Sequence, residues 1–325
     1  MVVVSQTPLR MSFFGGGTDF KDYYEKYGGL VISACINKYI YFIVNTRADD
    51  NIVLNYDERE AVSEVNQIKH NIFREVLKLL DITKGIEITT LSDITSQGSG
   101  LGSSSAFTVG LLNALFKYKG IKKQPYELAE LACKVEIDIL GNPIGKQDQY
   151  AVAFGGLKKY YFNRDETVTV ENMLINNQQR EIFNKNIVLF NTGITRSSSD
   201  ILSEQKVQIG SNIDHLHTIK RIAESSEVHI NNLDFEKLGD LLNISWNNKR
   251  LLANRISNSE IDEIYEAGKK AGAFGGKLLG AGGGGFFLFL CSTEKQEELK
   301  KSLISYEVLP VKFSEFGTRI IFESE

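Results

Sequence analysis

The sequence has few cysteines, few prolines and no excess of positive charge. Its 325 residues include 3 cysteines and 4 prolines, and 37 basic side chains stand against 41 acidic ones, for a formal net charge of −4. Cys35, Cys133 and Cys291 lie far apart and form no CxxC pair, which excludes a disulfide framework and favours a reducing cytoplasm. Without a basic excess, we expect no nucleic acid partner.

Long apolar runs are missing as well. The longest candidate, residues 286–291, has the length of a strand and falls far short of the ~20 residues that cross a bilayer. The N-terminal segment has three consecutive valines but no basic region, so we expect no signal peptide. With 42% apolar and 24% charged residues, the composition is that of a folded globular protein with no membrane partner.

Strand and helix patterns mix along the chain without strict alternation, which favours an α+β fold. β-Branched and aromatic residues predict strands at residues 2–4, 30–36, 39–44, 86–91, 187–190 and 286–290. Apolar spacing predicts helices at 66–80, from 106 onward, at 125–139, two or three times between 197 and 252, and at 260–273. A polar, amide-rich stretch at 172–186 indicates a boundary, which divides the chain into domains 1–185 and 186–325.

The strongest single motif is a glycine- and serine-rich string between a predicted strand and a predicted helix. Glycine allows a tight turn and close approach to a ligand, and a helix N-terminus offers free N–H groups with partial positive charge. The string therefore predicts a phosphate site, made by Gly98, Ser99, Gly100, Leu101, Gly102, Ser103, Ser104 and Ser105. It matches neither the P-loop nor the Rossmann fingerprint. A flexible loop before a serine-capped helix is the alternative.

Two carboxylates have the setting of functional groups. Asp148 follows a predicted helix end in the string Gly-Lys-Gln-Asp-Gln-Tyr-Ala at 145–151, where a carboxylate can orient or deprotonate an attacking hydroxyl. Glu136 lies on the flank of the apolar stripe of the helix at 125–139, from which it can reach a cleft and bind a metal. A capping aspartate in a surface turn and an ordinary boundary glutamate are the alternatives.

Two further glycine clusters are present. Residues 15–19 read Gly-Gly-Gly-Thr-Asp with Arg10 upstream, and such a loop can bind polyol hydroxyls, although the same residues also form ordinary turns. Residues 280–285 read Gly-Ala-Gly-Gly-Gly-Gly before a strand, and ordering them loses much conformational entropy. We therefore expect the second cluster to approach a ligand or another loop closely, in preference to forming a floppy linker.

Taken together and in this order, the five strings resemble the GHMP kinase family, which includes galactokinase, homoserine kinase, mevalonate kinase and phosphomevalonate kinase. The string at 98–105 is similar to the family's phosphate loop, and the string at 279–286 is similar to its C-terminal glycine motif. Residues 7–19, 145–151 and 191–197 resemble the sugar-kinase branch. Within that branch they are most similar to kinases of D-glycero-D-manno-heptose 7-phosphate, with fucokinase-type enzymes nearby.

The resemblance implies a two-domain α+β fold that binds ATP and Mg²⁺ in the cleft between the domains and phosphorylates the anomeric hydroxyl of a heptose 7-phosphate. It implies that the string at 98–105 holds the ATP phosphates and that Ser104 and Glu136 ligate Mg²⁺. Asp148 would be the base or an electrostatic orienter, with Arg10 beside it. The implied sugar-site residues are Gly16, Gly17, Thr18, Asp19, Gly282 and Gly283, with Lys146 and Arg196 for the substrate phosphate.

Two other functions are open at this point. A kinase for an unphosphorylated sugar such as L-fucose would not need Lys146 and Arg196 as a phosphate site. A nucleotide-binding regulatory protein without turnover would have no need for Asp148, Glu136 and Ser104 together. In each kinase case the partner is a small molecule, and the choice between a monomer and a homodimer stays open.

Overall fold

Two β-sheets with helices packed against them make up the fold. The computed structural model describes residues 1–94, 98–194 and 198–324. Within these residues the larger sheet has eight strands and the smaller sheet has four. The fold combines helices with largely antiparallel sheets, so the predicted α+β class is confirmed.

The larger sheet has the strand order β12-β1-β2-β5-β3-β4, with β6 and β7 continuing from β2, and the smaller sheet has the order β11-β8-β10-β9. All pairs are antiparallel except β3 with β5. The strands are β1 (Val2–Phe14), β2 (Gly29–Thr46), β3 (Ile52–Asn55), β4 (Arg59–Val62), β5 (Ile86–Ser92), β6 (Leu157–Phe162), β7 (Val168–Asn172), β8 (Ile187–Asn191), β9 (Gly275–Leu278), β10 (Phe286–Leu290), β11 (Glu307–Leu309) and β12 (Arg319–Ser324).

The helices cover both sheets. They are α1 (Lys21–Tyr27), α2 (Asn71–Leu79), α3 (Ser103–Tyr118), α4 (Pro125–Cys133), α5 (Gln147–Phe154), α6 (Asn177–Lys185), α7 (Ser198–Val207), α8 (Ile213–Asn231), α9 (Phe235–Lys249), α10 (Ser259–Lys270) and α11 (Gln296–Ser302). A 3₁₀-helix at Val65–Gln67 precedes α2, and a π-helical segment at Lys134–Ile139 follows α4 directly.

The two strands predicted at 30–36 and 39–44 are one strand, β2. The polar pair Asn37 and Lys38 suggested a break, but the register shift between Pro8 and Leu9 on β1 absorbs it, since Pro8 pairs with Tyr39 and Leu9 pairs with Ile36. Such a bulge lets a strand pass a polar pair without ending. The first strand is also longer than predicted and extends to Phe14, which carries Arg10 into the interior.

The predicted helices are present but differ in detail, and the helices α1, α5, α6 and α11 were not predicted. In the described part of the region 197–252, which begins at residue 198, there are three helices, α7, α8 and α9. The helix predicted at 66–80 is divided into the 3₁₀-helix and α2. The helix predicted at 125–139 changes to π-helical geometry after Cys133. A π-helical turn holds more residues than an α-helical turn, so it shifts the positions that follow it around the helix axis.

The buried apolar residues form two clusters. The larger cluster includes Phe42 and Phe73 of the larger sheet and its helices together with Leu189 and Leu288 of the smaller sheet, and the second cluster includes Trp246 and Phe287. The last strand, β12, returns from the second part of the chain to pair with β1. The division between residues 185 and 186 stays a prediction, because the larger sheet draws strands from both sides of it.

The structure also shows the state of the cysteines and whether any helix could cross a membrane. Cys35, Cys133 and Cys291 are all free and buried. In the part of the chain that the structure describes, no helix has the length and apolar character needed to cross a membrane.

Candidate active site

A cavity of about 300 Å³ opens where β1, the loop before α3, α5 and the smaller sheet meet. Four of the five strings singled out in the sequence contribute to its wall. The predicted residues that line it are Arg10, Gly16, Gly17, Asp19, Gly98, Ser99, Gly100, Gly102, Ser103, Ser104, Ser105 and Asp148. The chain thus brings its predicted phosphate, sugar and catalytic residues to one place.

The phosphate loop is built on glycines in the left-handed backbone region. Gly98, Gly100 and Gly102 have φ angles of 70°, 73° and 76°, which other residues adopt only with strain. α3 begins directly after Gly102, and its first backbone bond from inside the helix is donated by the Ala106 N–H to the Gly102 carbonyl. The N–H groups before Ala106 therefore precede the helical ladder, which is the geometry of an anion site.

Arg10 and Asp148 form a two-bond ion pair in the wall of the cavity. Arg10 Nε donates to Asp148 Oδ1 at 2.6 Å, and Nη2 donates to Oδ2 at 2.5 Å. Its remaining nitrogen, Nη1, donates to the Gly100 carbonyl at 2.6 Å, and its backbone N–H donates to the carbonyl of the buried Leu101. Arg10 is 4% exposed. One guanidinium thus fixes both the carboxylate and the phosphate loop, with the fork geometry that arginine allows.

Asp19 is held between its own loop and the start of α5. Its Oδ1 accepts from the Gly17 N–H and from Gln147 Nε2, both at 3.0 Å, and its Oδ2 accepts from the Gln147 N–H at 3.1 Å. A Cβ atom at Gly145 would lie 2.0 Å from Oδ2, so only glycine fits there. Burial raises the pKa of Asp19, and the nearby charge of Asp148 raises it further.

Glu136 lies under the phosphate loop, in the π-helical segment. It is fully buried and accepts from Ser104 Oγ at 2.9 Å, from Ser105 Oγ at 2.8 Å and from Gln149 Nε2 at 2.6 Å. Burial raises its pKa, and the three hydrogen bonds oppose that shift. The π-helical turn moves Glu136 from the flank, where α-helical geometry put it, towards the interior. The first turn of α3 and this carboxylate therefore form one polar unit.

The predicted metal ligands, Ser104 and Glu136, are in direct contact, and both offer the hard oxygen atoms that Mg²⁺ prefers. The described residues contain no group of three or more His, Cys, Asp or Glu side chains that could hold a metal ion. This donor set fits Mg²⁺, which commonly takes one or two protein oxygens and completes its shell with water and substrate phosphates.

The glycine cluster at 280–285 packs against the phosphate loop. A Cβ atom at Gly280 would lie 2.4 Å from Gly100 Cα, and one at Gly285 would lie 2.5 Å from the Ser99 carbonyl oxygen. Real Cβ atoms do not come so close, so both positions require glycine. This is the close approach to another loop that was one of the two expectations for this cluster.

Three predicted sugar ligands have other contacts. The Thr18 hydroxyl is fully buried and donates to the Gly15 carbonyl at 2.8 Å. The Gly283 N–H donates to the Ile256 carbonyl at 2.8 Å, and a Cβ atom at Gly282 would lie 2.8 Å from Ile256 Cα. These three residues do not line the cavity formed by the described part of the chain, and their roles as sugar ligands stay predictions.

The predicted phosphate-binding cations are placed differently. Lys146 Nζ donates to the Glu166 carbonyl at 3.3 Å and lies 5.6 Å from the centroid of the Tyr24 ring. Its neighbours in the string line the cavity, but Lys146 does not. Arg196 lies outside the described residues. The assignment of these two cations to a substrate phosphate stays a prediction.

Two lysines that line the cavity were missed by the sequence reasoning. Lys277 Nζ donates to the carbonyls of Ser12 and Phe13 at 3.0 and 2.9 Å. Lys249 Nζ donates to the Gly280 carbonyl. Lys249 is 9% exposed and Lys277 is 3% exposed. Burial lowers the pKa of both groups, to about 7 for Lys249.

Signals for both lysines were present in the sequence. Lys249 follows Leu238, Leu242 and Trp246 at helical spacing, so it continues the buried face of α9. A lysine in that position is exceptional, because charged side chains are seldom fully buried. Lys277 stands just before the glycine motif and within strand β9, all of whose residues are buried.

Two family models match parts of this chain. The family model of the GHMP kinases N terminal domain matches residues 66–156, and the model of the GHMP kinases C terminal domain matches residues 227–307. D-glycero-alpha-D-manno-heptose 7-phosphate kinase from Campylobacter jejuni is 34% identical over 92% of each chain. A mevalonate kinase from Thermococcus sibiricus is 28% identical over 84% of this chain and 80% of its own.

Solved structures of sugar kinases have the same fold as this chain. A D-glycero-D-manno-heptose 1-phosphate kinase from Bacteroides thetaiotaomicron superposes with a TM-score of 0.82 and 26% identity, over the whole of both chains. A putative sugar kinase from Campylobacter jejuni has a TM-score of 0.78 and 30% identity over 98% of each chain. The chain therefore belongs to the GHMP kinase family and is an ATP-dependent sugar kinase.

Proposed function

We propose that the enzyme transfers the terminal phosphoryl group of ATP to the anomeric hydroxyl of D-glycero-D-manno-heptose 7-phosphate and so makes the 1,7-bisphosphate. The observation that carries the proposal is the Arg10–Asp148 pair, which shares the cavity with the phosphate loop. The choice of sugar is supported by the Campylobacter jejuni relative, whose name specifies heptose 7-phosphate.

In this proposal Asp148 receives the acceptor hydroxyl. Arg10 occupies one position on each carboxylate oxygen, and an ionised carboxylate has about four acceptor sites, so Asp148 can still accept a hydrogen bond from the sugar. Oriented in this way, the hydroxyl oxygen faces the loop that holds the phosphates. Asp148 then acts as a base or as an electrostatic orienter, and either role requires the same contact.

Ser104 and Glu136 would hold Mg²⁺, which supplies positive charge to the β- and γ-phosphates. Glu136 also accepts from Ser105 and Gln149, so its carboxylate is fixed in orientation. Such outer contacts commonly set the direction of a metal-binding carboxylate. Ser104 itself is exposed to the cavity, where it can reach a ligand.

For the phosphate already on the substrate, we keep Lys146 and Arg196 as the proposed ligands. Lys146 stands between Gly145 and Gln147, which both line the cavity, and its flexible side chain can turn from the Glu166 carbonyl. Kinetics of Lys146→Ala test this assignment. We expect a 10–150-fold higher KM for the sugar phosphate, from the loss of about 1.5–3 kcal/mol of charge-assisted binding.

The test of the proposed substrate is a coupled assay of ATP consumption with a panel of sugars. The panel contains heptose 7-phosphate, heptose 1-phosphate and L-fucose, because the names of the two heptose-kinase relatives differ in the position of the substrate phosphate. We expect the highest kcat/KM with heptose 7-phosphate. Preference for L-fucose would replace the proposal with the alternative of a kinase for unphosphorylated sugars. A bifunctional fucokinase/GDP-fucose pyrophosphorylase from Arabidopsis thaliana, 24% identical over 32% of its own length, supports that alternative.

A further inference from the structure

Lys249 is a buried lysine in the wall of the cavity. It ends α9, is 9% exposed, and its Nζ donates to the carbonyls of Gly280 and, at 3.4 Å, Leu278. Within residues 1–94, 98–194 and 198–324, no carboxylate forms an ion pair with it. Burying an unpaired charge is costly, so such a group is expected to have a partner that arrives with a ligand.

The ammonium group of Lys249 is close to the centre of the site. It contacts the Gly280 carbonyl, and Gly280 packs directly on Gly100 of the phosphate loop. Gly100 in turn accepts from Arg10, which holds Asp148. A chain of short contacts therefore connects Lys249 to the loop that takes the phosphates and, through Arg10, to the carboxylate that takes the acceptor hydroxyl.

We propose that Lys249 binds the terminal phosphoryl group of the nucleotide and stays in contact with it during transfer. The inference rests on the proposed function only in that a phosphoryl group is transferred across this cavity. In this transfer the group moves from the phosphate loop to a hydroxyl at Asp148, and Lys249 lines the same cavity as both. A cation there counters the negative charge on the phosphoryl oxygens.

The step itself is an ordinary displacement. The acceptor oxygen forms a bond to the terminal phosphorus while the bond from that phosphorus to the bridging oxygen of the β-phosphate breaks, and ADP leaves. The hydroxyl loses its proton beside Asp148, and that proton passes to solvent. Lys249 gives and takes no proton in this sequence, and it acts through charge alone.

Lys277 is the other cation in the wall, and its surroundings differ. Its Nζ makes two bonds of ordinary length, to the Ser12 and Phe13 carbonyls, which tie β9 to β1. Lys249 interacts electrostatically with Arg10, Asp148 and Asp19, whereas the charged groups that act on Lys277 are Lys249 and Arg10. Lys249 thus differs from Lys277 in having Asp148 and Asp19 of the site among the charges that act on it.

The protonation of Lys249 agrees with this role. Burial lowers its pKa to about 7, and the charge of Arg10 adds to that effect, while Asp148 and Asp19 oppose it. A phosphoryl oxygen placed beside the amine favours the charged form. The ligand thus provides the direct anionic partner that Lys249 lacks among the described residues.

The test compares binding of ATP and ADP, each with Mg²⁺, by titration calorimetry without sugar. The variant is Lys249→Met, which keeps the apolar stem, and Lys249→Gln is made alongside because its amide still has a donor for the Gly280 carbonyl. The matched control is Lys159→Met. Lys159 is similarly buried, at 7% exposed, but it pairs with Glu171 and Glu227 and does not line the cavity.

Both Lys249 variants should bind ATP about 10–150-fold more weakly and bind ADP with unchanged affinity, because only ATP carries the terminal phosphoryl group. Lys159→Met should change neither. Equal losses for ATP and ADP, or no loss for ATP, in a folded Lys249→Gln variant would overturn the inference. Because no sugar is present, these results do not depend on which sugar the wild-type enzyme phosphorylates.

Discussion

Arg10 donates two parallel hydrogen bonds to Asp148, from Nε and Nη2 to the two carboxylate oxygens. Its third guanidinium nitrogen, Nη1, donates to the Gly100 carbonyl of the phosphate loop. The two residues are 138 positions apart in sequence, one on β1 and the other in the first turn of α5. A single side chain therefore links Asp148, the proposed acceptor of the hydroxyl, to the loop that we propose holds the nucleotide phosphates.

The first prediction concerns Asp148→Asn. The amide keeps the size of the carboxylate but loses its charge and one acceptor, so kcat should fall by about 10²–10⁴ while ATP affinity changes little. Steady-state kinetics and nucleotide binding measure the two effects separately. The control is Asp50→Asn, at a highly exposed surface ion pair with Lys84. An Asp148→Asn variant with more than a tenth of the wild-type kcat would remove Asp148 from the mechanism.

The second prediction concerns Glu136→Gln. A neutral amide binds a hard cation less well than a carboxylate, so the Mg²⁺ concentration for half-maximal rate should rise. Ser104→Ala should shift it in the same direction. Ser105→Ala removes a hydrogen bond of similar length from the other oxygen of Glu136, and it should shift the Mg²⁺ requirement less.

Titrating Mg²⁺ against initial rate for these three variants and the wild type gives the comparison. An unchanged Mg²⁺ dependence in Glu136→Gln would mean that Glu136 only accepts hydrogen bonds from its neighbours. A thermal melt of each variant separates a metal effect from a loss of folded protein.

The third prediction concerns the contact between the two glycine loops. Gly280→Ala places a Cβ atom 2.4 Å from Gly100 Cα at a φ of 68°, so the loops must separate. Gly120→Ala is the matched control, because Gly120 has a φ of 74° and no atom within 4 Å of the added Cβ. Gly120→Ala should cost about 1–2 kcal/mol from backbone strain alone.

Gly280→Ala should lower the free energy of unfolding by more than that and should also raise the KM for ATP, since it displaces the phosphate loop. Urea unfolding and ATP kinetics measure these effects. Equal destabilisation in the two variants, with an unchanged KM for ATP, would show that the loops can separate without cost.

The fourth prediction concerns pH and Lys249. Its pKa is about 7 in the folded protein and near the ordinary 10.5 in the unfolded chain. Between these values the unfolded state binds a proton that the folded state lacks, so raising the pH favours folding. The stability of the wild type relative to Lys249→Met should therefore rise from pH 7 to pH 10.5, by up to about 1.4 kcal/mol per pH unit.

Urea unfolding of both proteins at pH 7, 8 and 9 tests this. Taking the difference between the two proteins removes the contributions of groups that titrate in the same way in both. A difference that stays constant over this range would mean that Lys249 remains protonated in the folded enzyme.

Local features of the site could be predicted from the sequence, and long-range features could not. The phosphate loop depends on adjacent glycines and a following helix, so the string at 98–105 carries its own signal. The helix that carries Glu136 was predicted too, but no residue pattern indicated the π-helical turn that buries its side chain. The return of β12 to β1 depends on packing across the whole chain.

Lys249 and Lys277 were not predicted as site residues for a different reason. A lysine in a helix or strand is normally a solvent-exposed residue, and only its position on a buried face distinguishes it. Arg10 was placed near Asp148 by resemblance to a family, because nothing in the two local strings joins them. The structure adds the bidentate contact and the link to Gly100.

The central claim, transfer to the anomeric hydroxyl of heptose 7-phosphate, is tested most directly by phosphorus NMR of the product. The wild-type enzyme is incubated with ATP, Mg²⁺ and D-glycero-D-manno-heptose 7-phosphate, and the new phosphate is assigned by its coupling to the sugar protons. The account predicts a second phosphate on carbon 1, coupled to the anomeric proton, with carbon 7 unchanged. A new phosphate on any other carbon, or no second phosphate while an unphosphorylated sugar is converted, would contradict it.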